Sequence, residues 1–317
     1  MIEARGLART FRSKTGVVEA VRGVDLDVAA GEIVGLLGPN GAGKTTTQRM
    51  LSTLLVPTAG EARVAGCDLR RDPIGVRRQL GYVAQGGGTN PAAKVDEELV
   101  TQAQLYGMSR GAARERAREL RETLDLADLG DRLIKTLSGG QKRRLDIALG
   151  LMHRPKLVFL DEPSTGLDPH SRANLWTHIR SLREHHHATI LLTTHYLDEA
   201  DALCDRIFII DHGKIVASGS PAELKRRISG DLVTFEVEDI ARATEVLAAV
   251  PEARDVTPVE RGLRVTVDRG ETQALPLMRR LDEAGVRVGS LHIAHPSLDD
   301  VFLTLTGRSL RDAPAAA

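Results

Sequence analysis

The sequence predicts an α/β protein in two parts: a larger domain built on a mainly parallel β-sheet covered by helices, and a small α+β domain after it. Three observations predict this fold. Short continuous apolar runs (IVGLL, LVFL, TILL) alternate with helical patterns, as the buried strands of a parallel sheet do. A glycine-rich loop joins the first of these runs to a helix. Near residue 230 the pattern changes to short strands and two helices.

The larger domain is predicted from residue 1 to residue 228. Residues 2–37 are rich in strand patterns, among them VVEAV and VDLDV. A helix is expected from Lys44 to about Leu55, and a short strand within VPTAGEARVAG. Residues 97–130 have apolar residues at helical spacing, and their Arg/Glu run is predicted to be a solvated helix face. From residue 137 a turn is followed by alternating helices and strands.

The smaller domain is predicted from residue 231 to residue 317. Its elements follow the order β-α-β-β-α-β, which is the split βαβ order of a ferredoxin-like unit. Pro276 is expected to interrupt the first turns of the second helix, and Ser297 to cap a last helix. Because this part has no glycine fingerprint and no cluster of catalytic side chains, we predict a regulatory or dimerisation domain.

Composition excludes several classes of protein. The formal net charge is zero and aromatic residues make up only 3%, so neither a basic surface nor a stacking platform for nucleic acid is expected. Cys67 and Cys204 are far apart and are predicted to be free thiols. The apolar runs are shorter than a membrane span. If the protein works at a membrane, another chain is expected to supply the spanning helices.

A phosphate-binding loop is the most specific motif. GPNGAGKT fits the pattern G-x-x-x-x-G-K-[ST] and lies between a strand and a helix. Glycines let backbone amides converge on an anion, and the helix that follows presents its positive end. Lys44 is expected to reach the β- and γ-phosphates of a nucleotide, and the Thr45 hydroxyl to ligate Mg²⁺.

Two carboxylates follow the apolar run LVFL. Asp161 is expected to hold Mg²⁺, directly or through water, and Glu162 to orient or polarise the attacking water. A carboxylate pair after a strand is also a common start of a helix, so the pair alone leaves both interpretations open. Three consecutive histidines at 185–187 are predicted to be a solvated helix end, because adjacent residues on a helix do not share a face.

A second small-residue turn, LSGGQ, precedes the basic helical run KRRLDIALGLM. It too is suited to phosphate, since a serine hydroxyl, glycine amides and a helix N-terminus can surround an anion. The chain nevertheless has only one lysine-bearing phosphate loop.

The ordered set GPNGAGKTT, Gln85, LSGGQKRR, LVFLDEP, STGLD and His195 resembles the nucleotide-binding subunit of ABC transporters, and the resemblance covers about residues 2 to 225. It implies a P-loop NTPase fold of the ABC type with a helical signature subdomain. It also implies ATP and Mg²⁺ as ligands. By the same resemblance, Phe11 lies where an aromatic residue stacks on adenine, although a core position on the first strand is the alternative.

The family roles are assigned to positions in this sequence. Glu162, His195 and Gln85 are expected to serve hydrolysis, His195 as the switch histidine at the γ-phosphate and Gln85 as the Q-loop residue. Mg²⁺ is expected at Thr45, Gln85 and Asp161. The residues expected to contact nucleotide are Phe11, Gly38, Pro39, Asn40, Gly41, Ala42, Gly43, Lys44, Thr45, Thr46, Ser138, Gly139, Gly140, Gln141 and Asp168.

The resemblance also accounts for the second turn. In this family LSGGQ binds the γ-phosphate of ATP held by the phosphate loop of the opposite subunit, so a head-to-tail homodimer with two shared sites is expected. The glycine-rich stretch that follows Gln85 is unusual, and it bears on how stiffly this loop relays motion to a partner.

The C-terminal PSLDDVFLTLTGR and the ferredoxin-like unit resemble the daunorubicin/doxorubicin resistance ATPases of ABC-2-type exporters. This resemblance implies a separate ABC-2-type membrane permease and a peripheral location on the cytoplasmic face of the cell membrane. A drug, antibiotic or lipid-like cargo is expected; sodium or polysaccharide export and an importer ATPase are the alternatives. A soluble ABC protein acting on ribosomes or DNA is disfavoured, because those usually carry two cassettes or a long coiled-coil insertion.

Overall fold

The computed structural model describes residues 1–13, 16–186, 188–228, 230–294 and 296–307. These residues form strands and helices that are numbered here in chain order. The strands are β1 Ile2–Ser13, β2 Gly16–Val28, β3 Ile33–Leu37, β4 Ala59–Val64, β5 Cys67–Asp68, β6 Leu80–Val83, β7 Leu157–Asp161, β8 Thr189–Thr194, β9 Arg206–Asp211, β10 Lys214–Gly219, β11 Asp231–Val237, β12 Arg254–Val259, β13 Gly262–Val267 and β14 Val288–Ala294. The α-helices are α1 Lys44–Leu51, α2 Pro73–Gln79, α3 Val95–Leu105, α4 Arg110–Thr123, α5 Gly139–Leu151, α6 Pro169–His186, α7 Leu197–Leu203, α8 Pro221–Ile228, α9 Ile240–Ala248, α10 Gly270–Glu283 and α11 Leu298–Thr306.

The N-terminal strands form an antiparallel sheet in the order β2-β1-β4-β5. The predicted strands VVEAV and VDLDV are parts of one long strand, β2, which pairs along β1 through several register shifts. Helix α1 is shorter than predicted. It ends at Leu51 rather than near Leu55, and Thr53 then takes a positive φ of 64°, which a continuing right-handed helix cannot accommodate.

The predicted parallel sheet is confirmed. Its strand order is β10-β9-β3-β8-β7-β6, and the pairs β9–β3, β3–β8, β8–β7 and β7–β6 are parallel. Every residue of β3, β7 and β8 is buried, as expected of strands covered on both faces. Because parallel strands end at one edge of the sheet, the loops after β3, β6, β7 and β8 meet there.

A group of three helices, α3, α4 and α5, packs together beside the parallel sheet. The predicted apolar spacing is confirmed at Leu99, Ala103, Leu120 and Leu124, which are fully buried, whereas Tyr106 of the same series is 45% exposed. Helix α5 also packs against β6 and α6, so it joins this helical group to the sheet. Among the described residues, no helix is both long and apolar enough to cross a membrane.

The second compact unit begins at Gly219. Its antiparallel sheet has the order β12-β13-β11-β14, and together with α9 and α10 it has the predicted β-α-β-β-α-β connectivity. The unit has its own core, which includes Phe235, Leu247 and Leu281. It begins before the predicted limit of residue 228, because helix α8 packs against α11 within the same unit.

Two local predictions in this unit have different outcomes. Ser297 caps α11 as predicted, with its side chain accepting from the amide of Asp300. The expected interruption at Pro276 is wrong, because α10 continues through it from Gly270 to Glu283. Proline removes one backbone hydrogen bond, but Leu277 and Leu281 are buried on the same helix and hold it against the core.

Candidate active site

The predicted hydrolysis residues meet at one edge of the parallel sheet. Lys44 begins α1 after β3, Gln85 follows β6, Glu162 follows β7 and His195 follows β8. They border an open cavity of about 690 Å³. Its lining residues are Phe11, Val18, Ala20, Asn40, Gly41, Gly43, Lys44, Thr45, Thr46, Gln85, Glu162, Thr165 and His195.

The phosphate loop folds tightly over the end of β3. A Cβ at Gly43 would lie 2.6 Å from the carbonyl oxygen of Ala20, and φ at Gly43 is 107°, so only glycine fits this position. The Lys44 ammonium is buried and donates to the carbonyl oxygens of Gly38 at 2.8 Å and Pro39 at 3.0 Å. Burial lowers the pKa of Lys44, although the neighbouring Glu162 acts in the opposite direction.

Glu162 is the centre of the site. Its Oε1 lies 3.5 Å from Lys44 Nζ, and its Oε2 accepts from Gln85 Nε2 at 3.0 Å and from the Thr165 hydroxyl at 3.1 Å. Nδ1 of His195 lies 3.4 Å from the same Oε2. Three separate predictions from the sequence, for Gln85, Glu162 and His195, therefore fall within one cluster of contacts.

The backbone at Glu162 is held in an uncommon conformation. Its φ is 45°, a left-handed value that non-glycine residues seldom adopt. The Glu162 amide donates to both the carbonyl and the hydroxyl oxygen of Thr193, at 3.1 Å and 3.0 Å. Burial alone would raise the pKa of the Glu162 carboxyl, but the His195 imidazole and the Lys44 ammonium outweigh it and lower that pKa to about 2.

Asp161 lies beside the phosphate loop and carries the oxygen atoms suited to a hard cation. The Thr45 hydroxyl donates to its Oδ1 at 2.8 Å, and the Thr193 hydroxyl to the same oxygen at 2.7 Å. The Tyr82 hydroxyl donates to Oδ2 at 3.3 Å. Carboxylate and hydroxyl oxygens are the donors that Mg²⁺ takes in nucleotide sites, so the paired Thr45 and Asp161 fit that ion.

Phe11 forms part of the cavity wall rather than part of the core. Its side chain is 39% exposed, and it pairs directly across β1 and β2 with Val18, which also lines the cavity. The Arg9 guanidinium lies 4.7 Å from its ring centroid. The structure thus places Phe11 at the surface, against the alternative of a buried first-strand residue, and exposes a ring suited to stacking on a planar base.

The LSGGQ turn begins helix α5 and is folded as a capping box. The Ser138 hydroxyl accepts from the Gln141 amide at 3.2 Å, and the Ser138 amide donates to Gln141 Oε1 at 2.9 Å. Ser138 and Gly139 are exposed. Among the described residues that line the cavity beside Lys44, none belongs to the Ser138–Gln141 turn. Within one chain, the two phosphate-suited turns therefore do not share a cavity.

Asp168 caps helix α6. It accepts from the Ser171 amide at 2.9 Å and from the Ser171 hydroxyl at 2.6 Å, and the hydrogen bond from that hydroxyl lowers the pKa of Asp168. Gly140 of the signature turn approaches the same serine, since a Cβ there would lie 3.2 Å from Ser171 Oγ. Asp168 is exposed and is not part of the cavity lining.

Some of the residues predicted to contact nucleotide do not line the cavity. Gly38, Pro39 and Ala42 of the phosphate loop are buried and do not line the cavity. Cys67 and Cys204 are free thiols, as predicted. The side chains of residues 185–187 lie outside the described part of the chain.

Several residues around the site were not predicted from the sequence. Tyr82 and Thr193 bind Asp161, Thr165 binds Glu162, and Val18 and Ala20 line the cavity. Tyr82 and Thr193 are each the last residue but one of a strand, and Thr165 comes after β7, so the position of each hydroxyl relative to a strand end could be read from the sequence. The hydrogen-bond partner of each hydroxyl could not be predicted, because it depends on which strands become neighbours in the sheet.

Comparison with known proteins agrees with this geometry. Residues 21–165 match the family model described as ABC transporter, and residues 219–306 match the model described as ATP-binding protein DrrA1-3-like, C-terminal domain. A solved dimeric structure of a bacterial ABC transporter cassette superposes with a TM-score of 0.64 at 25% identity, covering 69% of this chain and 98% of that one. The fold and the site define an ATPase cassette of the ABC type.

Relatives of nearly the same length identify a smaller group within the ABC transporter family. The chain is 43% identical to the daunorubicin/doxorubicin resistance ATP-binding protein DrrA of Streptomyces peucetius, over 98% of this chain and 94% of that protein. It is 41% identical to the doxorubicin resistance ATP-binding protein DrrA of Mycobacterium tuberculosis, over 96% and 93%. The chain belongs to the DrrA-like family of ABC transporter ATP-binding proteins, whose ATP hydrolysis is coupled to transport.

Proposed function

We propose that this chain is the ATP-hydrolysing subunit of an exporter that removes a drug or lipid-like compound through a separate ABC-2-type permease. The observation that carries the proposal is the 43% identity to a daunorubicin/doxorubicin resistance ATP-binding protein, which extends through the C-terminal unit as well as the cassette. A shared cassette alone would support only ATP use, whereas the shared C-terminal unit supports the exporter branch.

ATP binding is assigned to the phosphate loop and the face of Phe11. The loop amides and the N-terminus of α1 receive the phosphates, and the adenine stacks on the exposed ring. The Lys44 ammonium, which now binds two loop carbonyls and Glu162, turns to the β- and γ-phosphates. This exchange replaces the buried ion pair with contacts to a more highly charged partner.

Hydrolysis is assigned to Glu162 with Gln85 and His195. The Glu162 carboxylate accepts a hydrogen bond from the attacking water and orients it in line with the γ-phosphate. As the Lys44 charge moves to the phosphates, one cause of the low Glu162 pKa is removed, and the carboxylate becomes a stronger base. Gln85 donates to Oε2 of Glu162, and His195 lies beside the same oxygen, where it is placed to contact the γ-phosphate.

Mg²⁺ is assigned to the Thr45 hydroxyl and Asp161, with Gln85 at the edge of the site. The two side chains are already in contact at 2.8 Å, and Thr193 and Tyr82 hold Asp161 from its other sides. When bound, the ion would neutralise phosphate charge. Gln85 currently donates to Glu162, so it would have to turn its amide oxygen toward the ion to serve as a ligand.

The active assembly is proposed to be a head-to-tail homodimer with two shared ATP sites. Support comes from the separation between the signature turn and the cavity of the same chain, together with the exposure of Ser138 and Gly139. In the dimer, this turn contacts the γ-phosphate bound by the partner, and Asp168 lies near the interface. ATP joins the two chains, and hydrolysis releases them.

The permease contact is proposed at a groove beside the Gln85 loop. The groove, of about 350 Å³, is lined by Gly87 and Gly88 together with exposed apolar side chains such as Leu54 and Tyr106. The lining also includes the charged residues Arg77 and Glu98. A groove with apolar and charged groups next to a residue of the hydrolytic cluster is suited to relay the state of the site to a partner. Such contact would hold the protein at the cytoplasmic face of the membrane.

Purification from native membranes tests this proposal. The tagged full-length chain should co-purify with one multi-span membrane protein, and cells that express both should export daunorubicin in an ATP-dependent manner. Export should be lost with Lys44→Ala at equal expression. Recovery of ribosomes or nucleic acid in place of a membrane protein, or uptake in place of export, would contradict the proposal.

A further inference from the structure

Helix α5 carries a buried arginine, Arg143, which is not among the residues assigned to ATP, Mg²⁺ or hydrolysis. The Arg143 guanidinium donates to three main-chain carbonyl oxygens: Ala84 at 2.6 Å, Pro163 at 2.9 Å and Asp161 at 2.9 Å. The residue is only 7% exposed. A buried guanidinium with each nitrogen directed at a separate carbonyl is well satisfied and geometrically specific.

These three carbonyls flank the hydrolytic residues. Asp161 and Pro163 lie on either side of Glu162, whose φ of 45° has to be imposed by its surroundings. Ala84 immediately precedes Gln85. One side chain therefore binds the backbone next to both members of the 3.0 Å contact between Gln85 and Glu162.

The next turn of α5 holds the other side of the Gln85 loop. Burial raises the pKa of the Asp146 carboxyl, and the neighbouring Arg143 guanidinium and Gly88 backbone act in the opposite direction. A Cβ at Gly87 would lie 2.9 Å from Asp146 Oδ2, and φ at Gly87 is 69°, so the close approach requires glycine. The unusual glycine run after Gln85 thus lets the loop lie against α5, where Arg143 and Asp146 hold it from both sides.

We propose that Arg143 is a positioning residue for hydrolysis, which fixes Glu162 and Gln85 of its own chain in the geometry that orients the attacking water. The inference rests on the proposed function, because it assumes that Glu162 and Gln85 serve hydrolysis. Lysine cannot replace Arg143, since one ammonium lacks the three divergent donor nitrogens of the guanidinium. Arg143 does not line the cavity, so it acts through these two residues and not on ATP.

Steady-state kinetics of the full-length protein, with its permease if activity requires it, give the first test. Arg143→Met should lower kcat about 100-fold and leave KM for ATP within about three-fold, because misplaced reacting groups impair the chemical step and not binding. Arg116→Met is the matched control. Arg116 is also a buried arginine, and it donates to the Leu151 carbonyl of α5 at 3.0 Å without contact to the Glu162 segment.

A general loss of packing would affect both variants alike. The proposal requires that Arg143→Met lowers kcat far more than Arg116→Met at a similar melting temperature. Equal kcat for the two variants would overturn the proposal. A loss of kcat/KM that comes only from a higher KM would overturn it as well. If Arg143→Met does not fold, Arg143→Lys is measured by the same comparison, with the same requirement on kcat.

Mixed dimers give a second test that separates cis from trans action. When Lys44→Ala and Ser138→Arg chains are combined, the intact site uses Glu162 of the Ser138→Arg chain. Arg143→Met in that chain should lower activity about 100-fold, whereas Arg143→Met in the Lys44→Ala chain should leave it within about two-fold. Equal loss from either chain would overturn the proposal. The mixture of Lys44→Ala and Ser138→Arg chains without an Arg143 substitution is the control. If it has no activity while the wild type is active, that result contradicts the shared ATP site and not the role of Arg143.

Discussion

The ammonium of Lys44 lies 3.5 Å from a carboxylate oxygen of Glu162, although both side chains are buried. The group assigned to the phosphates is therefore paired with the group assigned to the attacking water. Nucleotide binding has to exchange this ion pair for a new one. Loss of one partner from such a pair leaves the other buried and uncompensated, which is costly unless a ligand takes its place.

Glu162→Gln should trap ATP. The amide keeps the size of the side chain but cannot accept a proton, and it no longer competes with the phosphates for Lys44. We expect MgATP affinity equal to or above that of the wild type, hydrolysis reduced at least about 100-fold, and an ATP-dependent dimer in size-exclusion chromatography. Lys44→Ala is the control, which should neither bind ATP tightly nor dimerise. Turnover near the wild-type rate in Glu162→Gln would exclude Glu162 from catalysis.

The same carboxylate should make stability depend on pH in the acid range. Its pKa is lowered from 4.5 to about 2 in the folded protein, so its ionised form stabilises the fold above the unfolded pKa, and this contribution is lost as pH falls through the folded one. The difference in unfolding free energy between wild type and Glu162→Gln should shrink by on the order of 3 kcal/mol between about pH 5 and about pH 2.

Urea unfolding followed by the fluorescence of Trp176, the only tryptophan, measures this difference. Trp176 is suited to report unfolding of the first unit, because its indole donates to Ser164 at 3.1 Å and Glu199 at 3.2 Å. A difference that stays constant over this pH range would show that Glu162 is not held in its ionised form.

The sequence predicted the reacting groups of the site better than the residues that hold those groups in place. Asp161 ends a buried strand, and Lys44, Glu162 and His195 come after buried strands. Parallel strands bring their carboxyl ends together, so the meeting of these residues was predictable. The role of Arg143 was not, because its three acceptors are main-chain carbonyls. Backbone carbonyls are present at every position and leave no mark in the sequence.

The conformation of the Glu162 backbone and the position of the domain boundary also could not be predicted from the sequence. The positive φ of Glu162 is imposed by contacts from β8 and α5, and no residue preference announces it. The predicted cassette extends to residue 228 and so includes helix α8, whereas the packing of α8 against α11 joins it to the second unit. Periodicity within one segment cannot show which other helix it packs on.

Phe11 should contribute to affinity through the base alone. Phe11→Ala is expected to weaken ATP binding about 10-fold, since stacking on one aromatic side chain contributes about 1–3 kcal/mol, whereas Phe11→Trp should retain it. Binding of inorganic tripolyphosphate should be unchanged. Val17→Ala on the neighbouring strand is the control, because Val17 is exposed but does not line the cavity. Equal weakening of ATP and tripolyphosphate, measured by calorimetry, would argue for a structural role of Phe11.

A chain that ends at Ser218 should still bind ATP. The second unit begins at Gly219 and has its own core, and none of the cavity-lining residues belongs to it. We expect an affinity for MgATP within about three-fold of the full chain, with weaker dimer or permease association. A chain that ends at Gly230 is the informative comparison, because it keeps α8 without its partner α11 and should be less stable. Loss of ATP affinity in a folded Ser218 chain would assign the second unit a part in the site.

In the proposed homodimer, the Ser138–Gln141 turn of each chain completes the ATP site of the opposite chain. Lys44→Ala damages the phosphate loop and Ser138→Arg the signature turn, so each homodimer should be inactive. A mixed dimer pairs the sound loop of one chain with the sound turn of the other, and we predict that mixing restores part of the wild-type ATPase activity when mixed dimers are shown to form. If each turn served its own chain, every site in the mixture would be damaged. No recovery in verified mixed dimers that can turn over at a single site would contradict the account.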